Sequence, residues 1–296
     1  MRRGTRDRSE DGTDGPGAGS GAADAPRRRR RGLPPALWPA ALLLALAVAG
    51  PWLAPHDPLA TDMAASLRPP SAAHWFGTDT LGRDVFSRVL AAARLDLAMA
   101  VAAVALSALP GIALGAACGL RGGWPDRAVG RLSDALMAFP LFVVALALAA
   151  VLGNSVGSVV LATAAINLPF YLRLARTEVA ARRGAAYVQA ARLAGLGGAA
   201  LLRRVLLPNA LPVLAVQAST NLGWAILNGA GLCFLGLGVR PPTPEWGVLV
   251  SEGAQVLLAG QWWVGAFPGL ALFGAVYAFA LAGDALRDRL DPRRRP

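Results

Sequence analysis

Lysine is absent from all 296 residues, so every one of the 29 basic side chains is arginine. A phosphate-cradling loop of the GxxxxGK(S/T) type needs its Lys to reach the nucleotide, so the chain cannot carry that ATPase motif itself. Histidine is nearly as scarce, with His56 and His74 alone. There is no HExxH, no GxSxG and no His within reach of a nucleophile, which excludes the common membrane hydrolase arrangements and leaves no catalytic residue. Cys118 and Cys233 lie in apolar runs far apart in sequence and are read as small packing residues, so neither a disulfide nor a metal site is expected. Charge is sparse at 16%, against 55% hydrophobic residues and a mean hydropathy of +0.46. A soluble core of this length would not need so much apolar surface, and the bilayer must be the solvent.

The apolar surface falls into runs. Residues 1–31 mix Arg, Asp, Gly, Ala and Ser without apolar periodicity and read as a disordered cytoplasmic tail. Residues 32–56 carry no Asp, Glu, Arg or Lys and have Trp38 and Trp52 near the two ends, as a first membrane span would. The Arg cluster before this run and Ala47-Val48-Ala49 within it also fit a cleaved leader; the long preceding tail and Pro51 argue against cleavage. Residues 57–96 are polar and read as an extracytoplasmic segment. A core domain over 97–284 then holds five further spans, at about 97–120, 135–152, 156–172, 209–239 and 261–283, before a tail at 285–296. The two middle spans come from 38 uncharged residues between Asp134 and Arg173. At 1.5 Å per residue these would make a helix of roughly 57 Å, about twice the hydrocarbon thickness, so the run is split at Gly153-Asn154-Ser155. Gly111, Gly115 and Gly119 repeat every four residues along the second span, a spacing that permits close backbone approach to another helix.

The expectation is therefore an all-α polytopic membrane protein with six transmembrane helices and both termini on one side. With the N-terminus inside, 24 Arg fall on inner segments and five on outer ones, the asymmetry that a cytoplasmic membrane face requires. The same distribution accounts for the net charge of +11. No nucleic-acid partner is expected, since no zinc-ligand spacing, aromatic RNA-binding motif or soluble basic domain accompanies the charge.

Two segments carry candidate function. At about 100° per residue, Gln217, Asn221, Trp224 and Asn228 share a stripe roughly 60° wide on the fifth span. Such a stripe is either a wall of a translocation path or a set of hydrogen bonds to neighbouring helices. No span holds an ionisable residue away from its ends, which weakens a stand-alone secondary carrier without excluding it, because amides and carbonyls also bind ions. The second segment, between Arg173 and Leu207, repeats Tyr187, Ala190, Ala191 and Ala194 at i, i+3, i+4 and i+7, then breaks at Gly195, Gly197 and Gly198. A second short helix with Leu201, Leu202 and Val205 leads to Pro208, which opens the next span. A helix, glycine turn and helix suits either a groove on a partner or attachment to the membrane surface.

Tyr187-Val188-Gln189-Ala190-Ala191-Arg192, then Gly195, then Val205-Leu206-Leu207-Pro208, resembles the E-A-A, Gly, I-x-L-P signature of the integral-membrane subunits of binding-protein-dependent ABC importers. His74-Trp75-Phe76-Gly77-Thr78-Asp79 with Gly82-Arg83-Asp84-Val85-Phe86-Ser87-Arg88 is similar to a segment carried by the dipeptide, oligopeptide and nickel branch, in its second permease subunit. So are Gly122-Gly123-Trp124 with Phe139-Pro140, Phe234-Leu235-Gly236-Leu237-Gly238, Pro241-Pro242-Thr243-Pro244 with Trp246-Gly247, and the ending from Gly283-Asp284 to Pro292. The resemblance spans about residues 35–292. It implies a type I importer fold in the cell membrane, a second permease subunit, two ATPase subunits and an extracytoplasmic solute-binding protein. It also implies that ATP and Mg bind the partner ATPases, with no cofactor on this chain. Tyr187, Gln189, Ala190, Ala191, Gly195 and Pro208 would form the ATPase-docking element. Gln189 stands where the family usually has Glu, Gly229 where Glu is usual, Cys233 where Ser and Ala280 where Asn. Di- or oligopeptides are the expected cargo; nickel chelates, opines and sugars share the architecture.

Overall fold

A computed structural model describes residues 35–290. The tail expected over 1–31 lies outside the described residues, as do residues 32–34 of the first expected span and 291–296 of the expected C-terminal tail. Among the described residues there is no strand, only an isolated bridge between Thr78 and Asp84. Helix α1 is Trp38–Leu53 and α2 is Val85–Arg121. A bent pair follows, α3 at Gly123–Met137 and α4 at Leu141–Leu152, and then α5 at Val156–Arg182. Short α6 is Ala186–Leu193; α7, Gly198–Leu201, passes through a π-helical turn at Leu202–Leu206 into α8, Leu207–Phe234. Helices α9, Trp246–Val256, and α10, Trp263–Leu290, complete the bundle. Five helices are long and apolar enough to cross a bilayer, and the α3–α4 pair makes six if it counts as one span.

Several bounds differ from those expected, each for a local reason. Helix α2 starts at Val85 rather than Leu97, because Arg88 and Asp96 are buried and partnered by protein instead of ending the helix. The residues expected as the end of the extracytoplasmic segment are thus its first turns, capped by Asp84, whose carboxylate accepts the Ser87 N–H at 2.8 Å. The stretch 135–152 is not one helix: α3 and α4 meet at 90° across Ala138-Phe139-Pro140. Pro140 lacks an N–H and disfavours helical backbone at the residue before it. Alone, α4 is about 18 Å long, short of a bilayer core. Helix α8, expected over 209–239, stops at Phe234, where Leu237 N–H reaches the Leu232 carbonyl at 2.9 Å around left-handed Gly236.

The glycine repeat on α2 meets α5. A Cβ on Gly111 would come within 2.8 Å of Tyr171 Cβ, and Cβ atoms on Gly115 and Gly119 would overlap the backbone carbonyls of Leu172 and Arg176. Only hydrogen at these positions lets the two backbones pack this closely. On the other side of the bundle, Trp246 of α9 is buried, donating its backbone N–H to Asp96 Oδ2 at 3.1 Å and its indole N–H to the Val89 carbonyl at 3.0 Å.

The segment before α2 is held by charge. Asp79 Oδ1 accepts the backbone N–H groups of Leu81 and Arg83, while Asp79 Oδ2 accepts Arg83 Nε at 2.7 Å and Arg88 Nη1. Both guanidinium groups also reach Glu252 on α9, Arg88 Nη1 at 2.7 Å and Arg83 Nη2 at 3.2 Å. Asp79, Arg83 and Arg88 are almost wholly buried. Two cations and two anions thus neutralise one another away from water.

Glu245 caps α9, its Oε2 accepting the Val248 N–H at 2.8 Å, and its carboxyl lies against that of Asp96. Burial holds the Glu245 carboxyl above the ordinary carboxylate range. The folded chain therefore keeps this proton to a higher pH than the unfolded chain does. The stability linked to it is full in acid and declines once pH passes the ordinary Glu value of about 4.3, where the unfolded chain ionises first.

Two outcomes follow for the purified protein in detergent. Arg88→Ala leaves Asp79 and Glu252 short of a cation and is expected to cost about 3–5 kcal/mol, read as a large fall in Tm. Glu245→Gln keeps an oxygen to cap α9 and removes this group's titration, so its Tm should fall less than that of wild type as pH rises above about 4.3, and lie above it at the alkaline end.

Candidate translocation path and docking segment

Helix α8 places Gln217, Asn221, Trp224 and Asn228 on one cavity of about 400 Å³, whose remaining wall is Ile166, Asn167 and Phe170 of α5. Gln217 Nε2 donates to Asn221 Oδ1 at 2.9 Å. Asn221 and Asn167 are buried, yet the Nδ2 of each has no hydrogen-bond partner. In a medium without water an unpaired amide donor costs free energy until something accepts from it. The cavity is therefore lined by amide side chains and by no ionised one, with Trp224 and Phe170 exposed at its edge. Asn167 was not among the residues the stripe singles out. It is a lone amide on its own helix, so helical periodicity has nothing to pair it with; its one signal is an Asn inside a long uncharged run.

The segment between α5 and α8 is anchored on one side and free on the other. Val188 is fully buried, in a cluster with Ala116, Ala175, Val179, Leu201, Leu206, Ala210 and Leu214. The apolar stripe inferred from spacing does not all face that core: Tyr187, Ala190 and Ala194 point outward beside Gln189 and Leu193, and only Ala191 is partly covered. Leu193 is 91% exposed. Helix α6 ends in a Schellman turn, with Leu196 N–H to the Ala191 carbonyl at 3.0 Å and Gly195 N–H to the Arg192 carbonyl at 2.9 Å. Gly195 sits at φ +86, where a side chain is strained, although a Cβ there would meet no other atom within 4 Å. Beyond it, the second short helix is not separate. The chain runs from α7 into α8 through the π turn, with Leu207 N–H reaching the Leu202 carbonyl, and exposed Pro208 lies inside that continuous helix. The wider turn accommodates a residue that has no N–H to give.

Fold and cavity together define a subunit of a membrane transport system. The family described as binding-protein-dependent transport system inner membrane component matches residues 111–296, and the chain belongs to it. It is 45% identical over 252 residues to the probable D,D-dipeptide transport system permease protein of Escherichia coli strain K12, covering 85% of this chain and 84% of that one. It is 42% identical over 261 residues to the di/tripeptide transport system permease protein of Pseudomonas aeruginosa strain UCBPP-PA14, covering 85% of each. Identity to the nickel transport system permease protein of Escherichia coli strain K12 is 40% over 255 residues, covering 85% of this chain and 91% of that one. The chain is thus a multi-pass membrane permease component.

The unpaired donors lead to a contrast in stability. Asn167→Leu removes a buried donor that has no partner, so its Tm should equal or exceed that of wild type. Asn221→Leu also breaks the bond from Gln217 and is expected to cost about 1 kcal/mol. Thermal unfolding of the two variants in detergent checks both.

Proposed function

We propose that this chain forms half of the translocation path of an ATP-driven importer for di- or oligopeptides, which an extracytoplasmic binding protein delivers. The observation that carries the reading is the cavity between α5 and α8, lined by the amides of Asn167, Gln217, Asn221 and Asn228. Amide side chains both donate to and accept from peptide groups, and a path without fixed charge suits a zwitterion better than a bare cation. Relatives named for D,D-dipeptides and for di- and tripeptides support this cargo over nickel, for which another relative is named. The cavity is open at Trp224 and Phe170, and a second permease subunit would supply the facing wall.

In this reading α6 is the docking helix. Its outward face of Tyr187, Gln189, Ala190 and Leu193 seats in a groove of an ATPase subunit, while Val188 ties it to the bundle. ATP and Mg bind two such ATPase subunits, whose closure moves α6 and, through the continuous α7–α8 helix, the cavity wall. No residue of this chain is then catalytic. Both termini lie on the cytoplasmic side, where the 24 Arg of the inner segments fall. Gln189 removes charge from the docking face, so the joint rests on shape and apolar fit.

The test uses the complete transporter in proteoliposomes with a labelled dipeptide. Gly195→Val places a β-branched residue at φ +86 and should abolish ATP-dependent uptake while membrane insertion is kept and folding stability falls by no more than about 1–2 kcal/mol. Normal uptake by this variant would overturn the coupling role of the turn. Uptake by the chain alone without ATP would instead favour a secondary carrier.

A further inference from the structure

The only two histidines in the chain come together. His56 follows α1, His74 lies in the segment before α2, and Asp84 is the N-cap of α2; one ligand atom from each lies within 4.8 Å of the others. His74 Nδ1 is 3.0 Å from Asp84 Oδ1, and His56 Nδ1 is 3.8 Å from Asp84 Oδ2. The two rings stand 4.8 Å apart at 33°. Eighteen residues separate the histidines in sequence, so no HxxxH-type spacing announces the set.

We infer that His56, His74 and Asp84 form a binding site for a divalent transition-metal ion, with an open coordination position toward solvent. Metal–nitrogen and metal–oxygen bonds of about 2.0–2.2 Å put neighbouring ligands of a tetrahedral ion roughly 3.4 Å apart. His74 Nδ1 lies near that distance from Asp84 Oδ1, at 3.0 Å, and His56 Nδ1 is 3.8 Å from the other oxygen of the same carboxylate. Closing on an ion requires His56 to move, and its side chain is 43% exposed and makes no hydrogen bond of its own. The other two ligands are already oriented. Asp84 Oδ2 is held by the Ser87 N–H at 2.8 Å and the Ser87 hydroxyl at 2.7 Å, and Oδ1 already meets His74 Nδ1 at 3.0 Å. His74 is fixed through its backbone, whose N–H donates to Ser71 Oγ at 3.2 Å. Such second contacts on ligands are what set affinity in protein metal sites. The Asp84 carboxylate also supplies the negative charge that a cation needs beside the positive end of α2. Two imidazoles and one carboxylate select zinc, nickel or copper over magnesium or calcium. A bound ion would fasten the end of α1 to the start of α2.

The site is tested on the full chain in lipid nanodiscs, with any affinity tag removed, by calorimetric titration with zinc chloride. Both cysteines are buried in helices and no other His exists, so imidazole ligation has a single source. One zinc per chain is expected, with a rise in Tm. His56→Phe keeps a ring against His74 and should weaken zinc binding by about a hundredfold or more. A second measurement needs no variant: zinc-edge X-ray absorption of the wild-type protein should show outer-shell scattering from two imidazoles. Absence of zinc binding, equal affinity in His56→Phe, or a shell of oxygen ligands alone would each overturn the site.

Discussion

The buried charge cluster of Asp79, Arg83, Arg88 and Glu252 is the constraint on which the rest of the structure rests. Taking Asp79, Arg83 and Arg88 out of water is tolerable only when opposite charges meet, and here a single geometry pairs them with one another and with half-buried Glu252. That geometry links the segment before α2 to α9, more than 160 residues away in sequence. It also allows α2 to begin well before its apolar run, since Arg88 reads as an edge in sequence and as an interior residue in space. Gly77 and Gly82 make the bend possible. Both have positive φ, and a Cβ on Gly77 would come within 2.6 Å of the Arg68 carbonyl.

From that clamp the bundle is built by close approach. The glycines of α2 receive the α5 carbonyls of Leu168, Leu172 and Arg176. With that face spent on α2, α5 turns Ile166, Asn167 and Phe170 toward α8, and the amides of the two helices meet across one cavity. One to two turns further along α5, Arg173 donates to Asp134 at 2.7 Å and Arg176 to Asp126 at 2.7 Å, which holds α3 beside it. The bend at Pro140 then lets α3 and α4 point in different directions. Packing of small residues, rather than hydrophobic exclusion, positions polar groups in a protein whose surroundings are themselves apolar.

Much of this was legible in the sequence. Runs without charge mark apolar helices because an unpaired charge is expensive in a bilayer, and the E-A-A-like segment carries the family by residues that hardly depend on tertiary context. The stripe of Gln217, Asn221, Trp224 and Asn228 was legible for the same reason that helical periodicity is reliable: one regular element fixes its own faces. Asn167 was not, because its partners lie on another helix. Nor was the direction of α6, where the spacing of small apolar residues suggested an inward stripe and Val188 is the residue that is buried.

By itself, then, the sequence determined an all-α membrane protein, its family, the order of its long apolar runs and the two segments that carry candidate function. Each follows from local properties: hydropathy, periodicity, or a short motif. Tertiary structure alone decided which charges are interior, where α2 begins, how the α3–α4 run bends, and which distant residues share a cavity. It alone brought His56, His74 and Asp84 together. These depend on contacts between residues far apart along the chain, and in a chain where charge is rare, a few such contacts settle what each charged or polar group does.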